Sequence, residues 1–204
     1  NCVDKIINFI KPKDLIILES TVPIGTLSLI KKKILQKRPL LKEKLYLSYC
    51  PERVLPGNAV NEIKSNTRII GGINIQSTNF SIKFYKSFLN VKFIRTNDKT
   101  AEMIKLSENA FRDVNIAFAN ELSRIADSFD INVSKVISSA NYHPRVSILN
   151  SGLGVGGHCI PIDPFFLINS SKSKNSIIRN ARAINDTQPK YVLNKIINYI
   201  KKNK

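Results

Sequence analysis

Between Asp98 and about Phe129 the sequence holds no proline and no glycine and is dense in Ala, Leu, Ile and Phe. Such a run has one economical conformation, a single helix of about eight turns or more. Its apolar surface is wide, so it has to be buried against other helices or against a second subunit. Everything before it reads differently. The apolar runs at 14–18 (DLIIL), 45–49 (LYLSY), 67–73 (TRIIGGI) and 91–95 (VKFIR) have strand length and composition, with helical patterns at 27–38 and around 76–89 between them. Strand alternating with helix is the rhythm of a parallel α/β sheet. After the long run come a short helix at 133–140, a glycine-rich loop at 152–157 and a helix started by Asp163 and Pro164. The last 28 residues or so are helical again. The expected fold class is therefore α/β: the second half of a Rossmann-like parallel-sheet domain at 1–96, then an all-helical central domain at 97–186. Residues 187–204 begin a linker helix.

Composition narrows the function classes. The formal charge is +17, yet the lysines are spread along the chain, with small clusters only at Lys31–Lys33 and the C-terminus. No nucleic-acid-binding motif and no basic stripe interleaved with aromatics accompanies them, so no nucleic-acid partner is expected. The three cysteines, Cys2, Cys50 and Cys159, form no CxxC pair, which gives neither a disulfide framework nor a metal site. The opening NCVDKIINFIKP has no signal-peptide core, and no stretch nears the roughly 18–20 apolar residues that cross a bilayer. A soluble, cytoplasmic protein without membrane insertion is expected, and Asn1 in place of Met suggests a piece of something longer.

Three segments carry chemistry. In GLGVGGHCIPIDP, four glycines in six residues let backbone approach a ligand closely, Cys159 follows after His158, and Asp163 lies four residues on. On the long helix, Lys105, Asn109 and Arg112 stand at i, i+4 and i+7, within about 60° of one another. Two cations and an amide on an apolar helix call for an anionic ligand or oxyanion, local pairing with Glu102 and Glu108 being the plainer alternative. In CPERVLPG, Glu52 and Arg53 follow a strand, and in ESTVPIGT, Ser20 and Thr21 do the same; open α/β sheets bind ligands at such carboxyl ends. HPRV adds His143 and Arg145. No GxGxxG stands between a strand and a helix, so the turn that cradles a dinucleotide pyrophosphate is not found.

In order and spacing, ESTVPIGT, CPERVLPG, AEMIKLSENAFRDVNIAFANEL, NYHPRV and GVGGHCIPIDP resemble the UDP-glucose/GDP-mannose dehydrogenase superfamily, from about Asp14 to Asp186. PERVLPG with FRDVNIAFANEL and GGHC is most similar to its UDP-N-acetyl-D-mannosamine 6-dehydrogenase branch. The resemblance implies an NAD-dependent, four-electron oxidation of a nucleotide sugar at C6 to the uronic acid, for bacterial surface polysaccharides, by a homodimer. It implies Cys159 as the nucleophile, Lys105 as the oxyanion stabiliser with Asn109 beside it, Asp163 as positioner of Lys105 or a water, and Glu52 as the base for thioester hydrolysis. It places Arg53, Val54, Arg112, His143, Arg145 and Gly156 on the nucleotide sugar, Thr21 on the cofactor or a water, and His158 beside the nucleophile. Relatives acting on UDP-glucose often carry a second glutamate where this chain has Pro56, which favours the N-acetylhexosamine branch. Without the pyrophosphate-binding turn, these residues alone are expected to bind NAD weakly and to be inactive.

Overall fold

The computed structural model describes residues 2–54, 57–171, 173 and 176–203. They form two compact units, 1–105 and 106–204. Pro56 lies outside the described residues.

In the first unit, α1 (Cys2–Ile6) leads to β1 (Leu15–Leu18), α2 (Thr26–Lys37) and β2 (Tyr46–Tyr49). The short α3 (Ala59–Ser65) precedes β3 (Arg68–Gly72), α4 (Ile75–Lys86) and β4 (Phe93–Asn97). The four strands lie in sequence order as one sheet, β1-β2-β3-β4. Leu27 and Ile34 of α2 pack with Leu47 and Tyr49 into one fully buried cluster, while Ile82 and Tyr85 of α4 pack with Cys50 and Ile70 into another. The alternating elements are those the apolar runs predict. Sequence patterning does not reveal α1, α3 or a 3-10 turn at Pro39–Leu41, which are too short or too polar to show a period.

The sheet departs from the all-parallel expectation at one step. β1 and β2 are parallel, as are β3 and β4, but β2 and β3 pair antiparallel, Ser48 opposite Gly72 and Tyr49 opposite Gly71. A parallel return requires a crossover element packed on the sheet. Among the described residues the one helix in that connection, α3, is short and at most half-buried, with Ile63 alone packed against the core. β3 therefore enters from the edge at which β2 ends, which brings Arg68 beside the carboxyl ends of β1 and β2. Gly71 is required by packing: a Cβ there would stand 2.7 Å from the Ala101 Cβ and closer still to the Asn97 carbonyl.

The helix α5 (Asp98–Ser128) matches the long uninterrupted run. One of its side chains organises the first unit. Gly25 precedes α2 with φ +91° and no side chain, so no local side chain caps the first N–H groups of α2. The carboxylate of Glu102, fully buried, accepts the Gly25 N–H at 2.5 Å and the Leu27 N–H at 2.8 Å. Glu102 is thus not a solvated partner of nearby lysines, the plainer alternative for that stripe. It caps a helix about 75 residues away in sequence, with a charge placed at the positive end of the helix.

In the second unit, the rest of α5 is joined by α6 (Val133–Ala140), α7 (Asp163–Ser170) and α8 (Ile177–Lys202), which is continuous across Pro189. The α5–α8 seam is polar, contrary to the apolar packing expected of α5. Buried Arg182 pairs with fully buried Asp113 at 2.6 Å and also with Asp186. Asn185 donates to Asp113 Oδ1 at 2.8 Å, Asn120 donates to Asn185 at 2.9 Å, and Arg124 donates to Gln188 at 2.8 Å. Tyr191 bonds Asp127 at 2.6 Å, and Lys195 pairs with the same carboxylate. Leu106 of α5 is fully buried, but Phe111, Phe118 and Ile125 remain exposed, at 67%, 48% and 51%.

Removing the Glu102 cap strands two N–H groups. Glu102→Ala is expected to lower stability in urea by about 3 kcal/mol, since each orphaned buried donor costs roughly 1–3 kcal/mol. Burial raises the Glu102 carboxyl above its ordinary value near 4.5, and the N–H groups of Leu27 and Gly25 pull it part of the way back. The folded chain therefore holds this proton to higher pH than the unfolded chain, and the contribution falls as pH climbs from that ordinary value through the raised one. Urea midpoints between pH 4.5 and 7.5 should decline less in Glu102→Gln than in the parent. An equal decline would contradict the assignment.

Candidate active site

The residues singled out in the sequence fall in both units. In the first, β1 and β2 are parallel neighbours, so the segments that follow them emerge at one edge of the sheet. Thr21 lies half-buried in the turn after β1. That turn is fixed by Thr26, whose hydroxyl donates to the Pro23 carbonyl at 2.7 Å. Glu52 lies half-buried after β2, its N–H bonded to the Glu19 carbonyl at 3.1 Å, which joins the two segments. Glu52 Oε1 accepts the N–H of Arg53 at 2.6 Å. The Arg53 guanidinium donates to the Thr67 carbonyl at 2.9 Å, and Val54 is half-buried beside it.

A hollow of about 480 Å³ is lined by Glu52, Glu19, Arg68, Tyr85, Ile17 and Phe84, among others. Its polar wall was not anticipated. Arg68, only 8% exposed, reaches Cys50 Sγ at 3.6 Å and Glu19 at 3.7 Å and lies over the Tyr85 ring at 4.8 Å. Tyr85 donates its hydroxyl to Glu19 at 2.6 Å. Burial pushes the Cys50 thiol and the Tyr85 phenol above their ordinary values, so both are protonated at neutral pH. Cys50 is a packed thiol held under a guanidinium. Burial and protonation make it a poor nucleophile.

In the second unit, the glycine loop ends in a turn that sets Cys159 directly before α7. The Cys159 carbonyl accepts the N–H groups of Ile162 at 3.0 Å and Asp163 at 2.8 Å, while the cysteine itself is exposed. Asp163 and Pro164 occupy the first turn of α7, as their residue types predict. The Asp163 side chain is 4% exposed and accepts a hydrogen bond from Asn109 Nδ2 at 2.5 Å. Two of the five expected catalytic residues, Asn109 and Asp163, are therefore in direct contact, and Cys159 opens the turn that carries one of them. Gly157 adopts φ +92°, a conformation open to glycine, and Gly156 beside it is exposed. Arg112, His143 and Arg145 are also exposed, and among the described residues no hydrogen bond ties them to Asn109, Cys159 or Asp163. His143 Nδ1 accepts the Arg145 N–H at 3.3 Å, which shapes the HPRV turn. Lys105 is half-buried on α5, one turn before Asn109.

Chemically, the second unit offers an accessible thiol on a turn next to a partly buried amide–carboxylate pair. The first offers a sheet edge carrying a carboxylate and a hydroxyl. Sequence reasoning overlooked Asn115, Asn120 and Gln188, which hold the segment leading to the thiol. One signal was available: Glu102, Asn109, Asp113 and Asn120 follow one another at spacings that keep them within about 20–40° on the helix, a polar line on an apolar helix.

Comparison with known proteins adds an independent observation. Residues 1–89 match the NAD binding domain of the UDP-glucose/GDP-mannose dehydrogenase family, and residues 99–187 match the central domain of the same family. The chain is 46% identical over 202 residues to a UDP-N-acetyl-D-mannosamine dehydrogenase of Methanococcus maripaludis, covering 99% of this chain and 45% of that protein. It is 48% identical over 204 residues to the protein of that description from Methanocaldococcus jannaschii, covering 98% and 46%. The structure is similar to that of UDP-D-ManNAc dehydrogenase from Pyrococcus horikoshii, with a TM-score of 0.92, 38% identity and coverage of 98% and 48%. The chain spans about half the length of the relatives it matches.

Proposed function

The chain belongs to the UDP-glucose/GDP-mannose dehydrogenase family, and from that membership we propose that it oxidises a UDP-N-acetylhexosamine, UDP-N-acetyl-D-mannosamine first, at C6 to the uronic acid. The observation that carries the reading is the exposed thiol of Cys159 on a turn braced by the Asn109–Asp163 pair at 2.5 Å. The substrate class rests on similarity: relatives described as UDP-N-acetyl-D-mannosamine dehydrogenases are 46–48% identical.

Bound NAD+ supplies the hydride acceptor for each of two oxidations. The chain's residues do the remaining work. The C6 alcohol loses a hydride and a proton to give an aldehyde, which the Cys159 thiolate attacks, forming a C–S bond and a thiohemiacetal. Loss of a second hydride and a proton leaves a thioester. Water then adds to its carbonyl, the C–S bond breaks, and the uronate and free thiol are released. Keeping the aldehyde on sulfur prevents its escape between the oxidations. Lys105 and Asn109 stabilise the negative charge that develops on O6, Asp163 orients Asn109, and Glu52 takes the proton from the hydrolytic water. Arg53, Val54, Arg112, His143, Arg145 and Gly156 contact the nucleotide sugar, and His158 stands next to the nucleophile.

For the cofactor, Thr21 at the carboxyl edge of β1 and β2 is suitably placed for a contact. The N-terminus of α2 is not available to a pyrophosphate, because the Glu102 carboxylate already occupies its Gly25 and Leu27 N–H groups. That observation favours a second reading: a non-catalytic, dimerising chain of the same family. Both readings share a homodimer. Phe111, Phe118 and Ile125 recur every seven residues on α5 and remain exposed, a stripe suited to a partner helix.

With UDP-N-acetyl-D-mannosamine and NAD+, the catalytic reading predicts two NADH per uronate formed, and a fall of more than about a thousandfold in Cys159→Ala. Lys105→Ala should cost about 10²–10³ in kcat. Undiminished uronate formation in Cys159→Ala would sink the covalent route. Absence of turnover in the unaltered protein would favour the second reading. A single-chain mass by light scattering at micromolar concentration would overturn the homodimer.

A further inference from the structure

The segment leading to Cys159 is fastened to α5 and α8 before it reaches the thiol. Asn115 Nδ2 donates to the Ser147 carbonyl at 2.8 Å, and Asn115 Oδ1 accepts the Leu149 N–H at 2.9 Å. Three residues on, Gly152 is gripped at both of its backbone polar groups. Its N–H donates to Asn120 Oδ1 at 2.9 Å, and its carbonyl accepts from Gln188 Nε2 at 3.2 Å. Asn120 and Gln188 are 0% and 1% exposed, one on each helix. Gly154, at φ +132°, then passes so close to α8 that a Cβ would stand 3.1 Å from Pro189 Cγ. A proline has no N–H to offer the carbonyl one turn before it, so the helix surface at Asn185–Pro189 is free to receive the loop.

The grip has a fixed polarity. Asn120 Nδ2 is committed to Asn185 Oδ1 at 2.9 Å, and Asn185 Nδ2 is committed to Asp113 Oδ1 at 2.8 Å and to the Asp113 carbonyl at 2.9 Å. Asp113 in turn holds Arg182 at 2.6 Å. With each amide's donor directed down this chain, Asn120 can only present its oxygen to the loop. At the other end of the loop, the Cys159 carbonyl is bound by the Ile162 and Asp163 N–H groups, and Asp163 is bound by Asn109. The glycine-rich span 153–158 is therefore bracketed by two anchors that both return to α5, eleven positions apart, or about 16 Å along the axis.

We propose that Asn120 and Gln188 are positioning residues for Cys159: by clamping Gly152 they fix the origin of the glycine-rich span and so set where the thiol is presented. The proposal rests on the reading of Cys159 as the nucleophile. It assigns the buried α5–α8 polar ladder a role beyond holding two helices together, because the ladder's last member faces the loop.

Hydrogen exchange by mass spectrometry on this chain separates that role from plain stability. In Asn120→Leu both bonds of the amide are lost. Exchange at the Gly152 amide, which the Asn120 oxygen holds, should rise about tenfold or more, while the amides of α5 and α8 away from residue 120 change by less than about threefold. Asn120→Asp provides a reversible control within one folded protein. Its carboxyl faces the Gly152 N–H and Asn185 Oδ1, with Arg124 one turn along α5 and Asp113 and Arg182 beyond Asn185. Protonated at pH 5, it can accept from Gly152 and donate to Asn185, so loop protection should lie within about twofold of the parent. Ionised at pH 8, it confronts Asn185 Oδ1, and protection should fall about tenfold after correction for intrinsic exchange. Loss of protection spread equally over loop and helices in Asn120→Leu, or no difference between pH 5 and pH 8 in Asn120→Asp, would overturn the proposal. Exchange reports the loop and not the chemistry, so a failure of the nucleophile reading would appear in the turnover assay and leave this result standing.

Discussion

A polar group taken out of water has to find a partner inside the protein, and on α5 that requirement recurs along the whole helix. Glu102, Asp113 and Asn120 are fully buried, at spacings that keep them on one face. Each organises its surroundings in order to be satisfied. Glu102 fixes the start of α2 and with it the turn that carries Thr21. Asp113 draws in Arg182 and Asn185 and so sets where α8 runs. Asn120 takes hold of the loop that ends at the thiol. Buried ion pairs of this kind add little net stability compared with apolar packing, and breaking one is costly. Here they specify which neighbour packs where.

The same helix carries Lys105, Asn109 and Arg112, the residues proposed to meet the developing oxyanion and the nucleotide sugar. Asn109 sits between the two sets of residues. It faces a buried carboxylate, Asp163, and that carboxylate stands one turn beyond the proposed nucleophile. The positioning residues and the residues proposed for the chemistry thus share one element. The stranded apolar side chains Phe111, Phe118 and Ile125 complete the picture, since a helix whose polar line is internal presents its apolar residues elsewhere.

Sequence patterning exposed what repeats locally. The run from Asp98, the helix at Val133–Ala140 and the four strands are legible because period and composition act within a few residues. Pro164 and Asp163 announce the start of α7 for the same reason. The antiparallel step between β2 and β3 is not legible, because strand direction depends on how the β2–β3 connection runs and not on the local composition of either strand. Glu102 reads as a surface charge until its partner, some 75 residues earlier in the chain, is known. Asn120 and Gln188 likewise look like ordinary helix polar residues, since Gly152, which they hold, lies more than 30 residues from either. Local sequence singled out Cys159 as a candidate; only long-range contacts show how its segment is held.

The central claim is that Cys159 forms a carbon–sulfur bond to the C6 carbonyl. Intact-protein mass spectrometry after rapid quenching from the C6 aldehyde of UDP-N-acetyl-D-mannosamine and NAD+ tests it most directly. The account predicts a mass increase equal to the acylated sugar nucleotide, mapped by digestion to the peptide containing Cys159 and absent in Cys159→Ala. An adduct that persists in Cys159→Ala, or uronate formed without any adduct on that peptide, would contradict it.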